Sequence, residues 1–184
     1  MRDSEPRMDR MQWMRYSRGM KWERVETVQQ IQAVAALARE IWTRHYTPLI
    51  GSEQVEYMLE KFQSVEAITR QLETESFEYV LVADSGYAAW VPDLEKKSLF
   101  LSKIYVSEER RGIGLGRALL ALAEQRARDL GCTELWLTVN RHNADTIAFY
   151  ERMGLCKTNS LIQDIGHGYV MDDWRMAKSI SSAS

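Results

Sequence analysis

The stretch Arg111-Gly112-Ile113-Gly114-Leu115-Gly116 constrains this chain more than any other, because an apolar run ends at Val106 just before it and a long helical pattern starts with it. Glycines let the backbone turn through positive φ and approach a ligand closely. A helix N-terminus offers N–H groups with no intrahelical acceptor and carries the positive end of the helix dipole. A strand, a glycine turn and a helix start in succession therefore form a site for an anion such as a diphosphate. Arg111 can add a charge-assisted contact. Three glycine patterns compete for the stretch. A P-loop requires Lys-Ser/Thr after its last glycine, whereas Arg117-Ala118 stand here. A dinucleotide fingerprint has Gly-x-Gly-x-x-Gly in a βαβ setting, and neither the spacing nor the upstream region fits. The third pattern, Arg/Gln-x-x-Gly-x-Gly/Ala, is matched by Arg111, Gly114 and Gly116.

Periodicity places the loop in a larger order of elements. Lys21 to Val25 reads as a short strand. Ile31, Val34, Ala35, Ala38, Ile41, Trp42 and His45 recur at threes and fours and form one apolar helical stripe, which Pro48 and Gly51 end. Ser52 is the expected N-cap of a second helix bearing Val55, Met58, Leu59 and Phe62, and Ser64 that of a third bearing Val65, Ile68 and Leu72. Phe77 to Ala83 and Tyr87 to Val91 flank the turn residues Asp84-Ser85-Gly86 and predict a hairpin closed by Pro92-Asp93. Leu99 to Val106 forms the next strand, with Lys103 as its only charge. A helix from Gly114 to Leu130 follows, with Gly131 as its C-cap. Then come a strand at Leu135 to Val139, a short helix at Asp145 to Met153 stopped by Gly154, and two strands around Gly166-His167-Gly168. This order predicts an α/β (α+β) layer fold with a mostly antiparallel sheet flanked by helices. Residues 1–19 are rich in Met and Arg without a sustained period and read as a disordered N-terminal extension. Residues 20–178 read as a single domain and the Ser-rich 179–184 as a solvated tail.

Charge and composition exclude several functions. Lys and Arg number 24 against 26 Asp and Glu, so the basic footprint of a nucleic-acid binder is missing. No apolar run reaches the roughly 18 residues that span a bilayer, and no membrane partner is expected. Cys132 and Cys156 lack metal-ligand spacing. They read as reduced thiols in a cytoplasmic protein, and no metal is expected.

The glycine pattern is the acetyl-CoA motif of the GNAT superfamily of N-acetyltransferases, which the chain resembles over about Lys21 to Lys178. Ile104-Tyr105-Val106 is similar to the family's strand before the motif, and Ala118-Leu119-Leu120 to the start of its helix. Val139-Asn140, Asn143, Ile147, Phe149-Tyr150-Glu151 and Met153-Gly154-Leu155 resemble its second cofactor segment, with Thr146 for the usual Ala and Leu155 for the usual Phe. Ile41 to Gln63 and Asp164 to Tyr169 resemble an uncharacterised bacterial branch of the superfamily. The resemblance implies a sheet of six to seven strands, acetyl-CoA (coenzyme A) as cofactor, and direct attack by an amine in a ternary complex. Ile104, Tyr105 and Val106 would hold the pantetheine arm through backbone groups. Arg111, Gly112, Ile113, Gly114, Leu115 and Gly116 would hold the diphosphate. Asn143 would bond the pantetheine amide with Asn140 assisting, and Tyr150 would protonate the departing thiolate.

The acceptor is expected to be a small-molecule amine, a polyamine or a peptide N-terminus, between the N-terminal helices and the late hairpin. Trp42, Tyr46, Tyr57, Tyr169 and Trp174 are candidate lining residues, each equally suited to a core. Glu53 and Glu56 fit a solvated helix face as well as an acceptor pocket, His167 fits a base or a loop histidine without a role, and Asp172 and Asp173 have no assigned role. The aromatic content leaves room for a homodimer. A second reading is a CoA-binding sensor without turnover.

Overall fold

The computed structural model describes residues 21–181. The N-terminal extension expected over residues 1–19 lies outside them. Strand β1 is only Glu23–Arg24, shorter than the expected Lys21 to Val25. Helix α1 then runs from Val28 to Ile50. Thr27 opens it with a capping box: its hydroxyl accepts the Gln30 N–H while the Gln30 carboxamide accepts that of Thr27. Pro48 does not end the helix as expected. It sits in the last turn, and Gly51, at φ +84°, makes the break and donates its N–H to Thr47. Helix α2 (Ser52–Gln63) follows at once, so Gly51 rather than Ser52 occupies its N-cap position, without a side-chain bond. Helix α3 (Val65–Thr74) is capped as expected by Ser64, which accepts the Ala67 N–H at 3.1 Å.

Strands β2 (Glu78–Val82) and β3 (Gly86–Asp93) form the expected hairpin, but β3 runs through Pro92. The last β2–β3 pair is Glu78 with Trp90, so Pro92 stands where β3 is locally an edge, and there a missing donor is tolerated. Strand β4 (Ser98–Val106) is followed by a 3₁₀ turn at Glu108–Arg110, α4 (Leu115–Asp129), β5 (Glu134–Asn140), α5 (Ala144–Arg152), β6 (Cys156–Gly166) and β7 (Tyr169–Ser179). The first residues of the expected tail, 179–184, belong to the fold, and 182–184 lie outside the described residues. Ser179 ends β7, and Ile180 is buried and donates its N–H to Thr133 at 2.8 Å.

The strands make one sheet in the order β1-β2-β3-β4-β5-β7-β6, antiparallel throughout except between β4 and β5. That parallel pair holds together only where Ser98, Leu99 and Phe100 face Glu134, Leu135 and Trp136. Beyond it the strands part. A bulge contributes: Ala89 pairs with Lys103 but Trp90 with Leu101, which leaves Ser102 unmatched in β4. An extra residue bends the bulged strand. The sheet thus opens into a wedge toward Val106 and Asn140.

Each face of the sheet carries a core. On one, α4 and α5 pack Leu119, Leu120 and Tyr150 against Leu99, Leu101, Leu135 and Leu137. On the other, α1 to α3 pack Val34, Ile41, Val55 and Ile68 against Tyr79, Leu81, Tyr87 and Ala89. Lys103 belongs to this second side and is 5% exposed. Its ammonium donates to the Gln71 carboxamide at 3.1 Å and lies 4.6 Å from the Phe77 ring. Burial pushes its pKa down to about 7.

A lysine whose folded pKa lies below its unfolded value destabilises the protein at low pH. The unfolded chain holds the extra proton between about pH 7 and the ordinary lysine value near 10.4. The cost is full below that window and fades as pH rises through it. Lys103→Met is therefore expected to raise stability at pH 7 by on the order of 2–3 kcal/mol. Gln71 keeps the Tyr79 hydroxyl as donor. Urea unfolding at pH 7 and pH 10 checks this: the gain should shrink at the higher pH.

Candidate active site

The wedge between β4 and β5 continues into a cleft of about 760 Å³. Ile104, Tyr105 and Val106 of β4 and Thr138, Val139 and Asn140 of β5 line its two sides. Past Phe100 the backbone groups of β4 that would face β5 have no strand partner, so they are available to a ligand laid along the gap.

The glycine turn closes one end. Gly112 and Gly114 have φ of +77° and +87°, a region strongly disfavoured for other residues, and Gly114 stands at the N-cap of α4. The first helical bond of α4 runs from Ala118 to Gly114. Beyond the weak contacts that close the turn over Arg111 to Gly114, the amides from Gly112 to Arg117 have no well-aligned acceptor among the described residues. Gly112, Gly114, Leu115 and Gly116 line the cleft together with Arg110, Arg111, Arg117 and Arg152. Unpaired N–H groups, the positive end of a helix and guanidinium groups make this end an anion site. A Cβ on Gly116 would stand 3.6 Å from the Phe149 ring, an ordinary van der Waals contact, so only a larger side chain would crowd the turn against α5. Ile113, 59% exposed, is not in the lining, and its place in the site is its backbone alone.

Helix α5 brings Tyr150 to the wall. The ring is buried in the first core, yet the residue lines the cleft, and its hydroxyl has no hydrogen-bond partner among the described residues. Burial, with Tyr46 nearby, holds its pKa well above that of an ordinary phenol, so the hydroxyl stays protonated. Asn140 also lines the cleft, with its side-chain oxygen accepting the His142 N–H at 2.9 Å. Asn143 does not. It is buried as the N-cap of α5, its side-chain oxygen accepts the Thr146 N–H, and its amide nitrogen lies 3.3 Å from His45 Nε2. A helix start needs an acceptor at this position, and that occupies the side chain expected to reach the cofactor.

The other end is aromatic. Trp42 and Tyr46 from α1 meet Tyr105, with ring centroids 4.7 Å apart for Trp42–Tyr46 and 5.5 Å for Trp42–Tyr105. Burial pushes Tyr46 up to about 12. Glu53 and Tyr57, expected in the acceptor pocket, are not in the cleft lining. Glu53 is exposed on α2. Tyr57 donates its hydroxyl to Ile165 at 2.6 Å and packs on His167 and Tyr169, so it anchors the β6–β7 hairpin to α2. Glu56 is exposed and paired with Arg39. Asp172 pairs with Arg141, whose guanidinium covers Trp174.

His45 and Asp173 are among the lining residues that the sequence does not place in the cleft. His45 lines the cleft from α1, with its pKa lowered by partial burial and then by Arg111. It is the last residue of the apolar stripe, which was the available signal. Asp173 lines the cleft from β7 and is 5% exposed. Its sequence neighbour Asp172 gave no way to tell which of the two points inward.

The profile of the Acetyltransferase (GNAT) family matches residues 35–155. The chain belongs to this family. Within it, streptothricin acetyltransferase of Streptomyces lavendulae is 40% identical over 69 residues, 38% of this chain and 34% of that one. In that match the chain spans about a third of the relative's length. An N-acetyltransferase from the pepI 3′ region of Lactobacillus delbrueckii subsp. lactis is 25% identical over 150 residues, 76% of this chain and 83% of that one. The PaiA N-acetyltransferase of Thermoplasma acidophilum, solved in complex with coenzyme A, superposes with a TM-score of 0.66 at 20% identity, covering 87% of this chain and 99% of that one. The GNAT fold expected from the loop is thus present, with seven strands. Among the described residues no helix is long and apolar enough to cross a membrane.

Proposed function

We propose that this chain is an N-acetyltransferase that moves the acetyl group of acetyl-CoA to a primary amine in a ternary complex. The observation that carries the reading is the run of amides from Gly112 to Arg117, without a well-aligned acceptor among the described residues, at the mouth of a cleft that splits the sheet. Membership of the GNAT family and relatives solved with coenzyme A or acetyl-CoA support it. When bound, acetyl-CoA supplies an activated thioester. Arg111 and the amides of Gly112, Ile113, Gly114, Leu115 and Gly116 hold its diphosphate. Backbone groups of Ile104, Tyr105 and Val106 hold the pantetheine, and a β4 amide donates to the thioester oxygen as charge builds there, a contribution of about 3–4 kcal/mol by precedent. Asn140 assists from the end of β5. Asn143 acts by fixing the start of α5, and so the position of Tyr150. Tyr150 donates a proton to the leaving sulfur. Trp42 and Tyr46 bound the acceptor.

The test is thiol release from acetyl-CoA with a panel of small amines, polyamines and peptide N-termini. Amine-dependent release supports the reading. Tight coenzyme A binding without release for any acceptor would instead identify a CoA sensor. Absence of coenzyme A binding would overturn both.

A further inference from the structure

We propose that Asp173 receives the acceptor amine: its carboxylate holds the incoming nitrogen at the aromatic end of the cleft and takes the proton that nitrogen sheds on attack. The inference rests on the acetyl-transfer reading. Asp173 stands in β7, opposite Asn140 of β5 and Leu161 of β6, so the parting of β4 from β5 leaves it facing the cleft. The residue is 5% exposed. Among the described residues no Lys, Arg or His pairs with it, whereas the next carboxylate, Asp172, takes Arg141 at 2.8 Å. A buried carboxylate without a counter-charge is unfavourable unless something compensates it. A cation entering the cleft would do so.

The arginines of the cleft cluster at its glycine-turn end, from which Arg111 also acts on His45 and Tyr46. Arg110, Arg111, Arg117 and Arg152 come from the glycine turn, the start of α4 and the end of α5, where the diphosphate is expected. The other lining carboxylate, Asp145, is in the first turn of α5 and interacts with His45. Asp173 instead interacts with Tyr46, which packs with Trp42 and Tyr105. Aromatic faces and a carboxylate together favour an ammonium group. The groups that act on Asp173 are Thr138 of β5, Tyr46 of α1 and its neighbour Asp172, which Arg141 engages. Burial raises its pKa to about 6, with Asp172 adding and the Thr138 hydroxyl opposing. The group is thus ionised at neutral pH and still more basic than a surface carboxylate.

In the step itself the bound ammonium first gives one proton to solvent; the lone pair so freed forms the C–N bond to the thioester carbon, and the nitrogen's second proton passes to Asp173. The C–S bond breaks and the sulfur takes a proton from Tyr150. The products are an amide and a thiol. Asp173 then returns its proton to solvent, which also restores Tyr150.

The experiment titrates coenzyme A-saturated protein at pH 7.5 with propylamine, phenethylamine and 1,4-diaminobutane by calorimetry, for the wild type, Asp173→Asn and Asp173→Glu. Acetyl transfer to the same amines is followed from pH 5 to 9. At least one amine should bind the wild type, about tenfold or more weaker to Asp173→Asn, with binding kept in Asp173→Glu. Where transfer occurs, log kcat/KM should climb with slope two below about pH 6 and slope one above it, because both amine and carboxylate must lose a proton. Asp173→Asn should show slope one throughout and a kcat about 100-fold lower. Coenzyme A affinity reports whether each variant is folded. If Asp173→Asn fails this check, the wild-type slope and Asp173→Glu carry the test. Transfer with binding and slope unchanged in Asp173→Asn, or a single slope in the wild type, overturns the role of Asp173 and leaves acetyl transfer standing. Binding that depends on Asp173 without transfer supports the anchor and counts against the activity. No amine binding to the wild type overturns the proposal.

Discussion

Placing valine at both 114 and 116 will weaken coenzyme A binding about 100-fold or more in calorimetry. Gly114 holds φ +87° at the N-cap of α4, and an L side chain in the left-handed region adds roughly 1–2 kcal/mol of strain. A β-branched residue is the worst fit there. The turn will relax to a negative φ and swing the amides from Gly112 to Arg117 out of convergence. Hydrogen bonds to a charged group contribute about 1.5–3 kcal/mol each. Losing two of them corresponds to a factor of about 100 or more, since each 1.4 kcal/mol is tenfold. Valine at 116 would also press branched methyl groups toward the Phe149 ring, which lies 3.6 Å from the first added carbon. Most of both cores lies away from this turn, so far-UV circular dichroism should remain that of the folded protein. Wild-type affinity in the folded variant would remove the diphosphate site from this loop, and with it the proposed donor.

Tyr150→Phe will lower kcat about 100-fold while the KM for acetyl-CoA changes by no more than about threefold. The ring is packed in the first core, and phenylalanine fills the same space, so fold and cofactor cleft persist. What disappears is the one hydroxyl of a residue that lines the cleft. Its raised pKa makes it a weak acid in the free protein. That does not disqualify it. The thiolate would form in the same poorly solvated place, where its own proton affinity also rises, so donor and acceptor shift together. Before the sulfur carries charge the hydroxyl gains little from it, and afterwards it gains a charge-assisted hydrogen bond. An interaction made mainly at the transition state appears in kcat rather than in KM. Steady-state thiol release with the best amine decides the matter. An unchanged kcat would leave Tyr150 as a core aromatic.

Elements specified by local chemistry were legible in the chain, and those specified by neighbours were not. Thr27 and Gln30 box the start of α1, and Ser64 caps α3, through bonds spanning three residues. Pro48 misled because proline weakens a helix without specifying its last residue, and the freely turning Gly51 came just after it. Pro92 misled because its tolerance in β3 depends on β2 stopping at Glu78, a property of another strand. In the site, Trp42, Tyr46, Tyr105 and Tyr150 all line the cleft. Tyr57 lies outside it because its hydroxyl is bound by a carbonyl 108 residues away.

The glycine turn between a strand and a helix is a local property. Positive φ at Gly112 and Gly114 and free amides at a helix start follow from a few consecutive residues, so the proposed anion site could be read from the chain before any fold was known. Which carboxylate faces the cleft is decided by tertiary structure alone. Side chains alternate along a strand, and a shift of one residue in the pairing of β7 would exchange Asp172 and Asp173. Only the register that sets Asp173 opposite Asn140, beside strands that part beyond Phe100, puts that side chain inside.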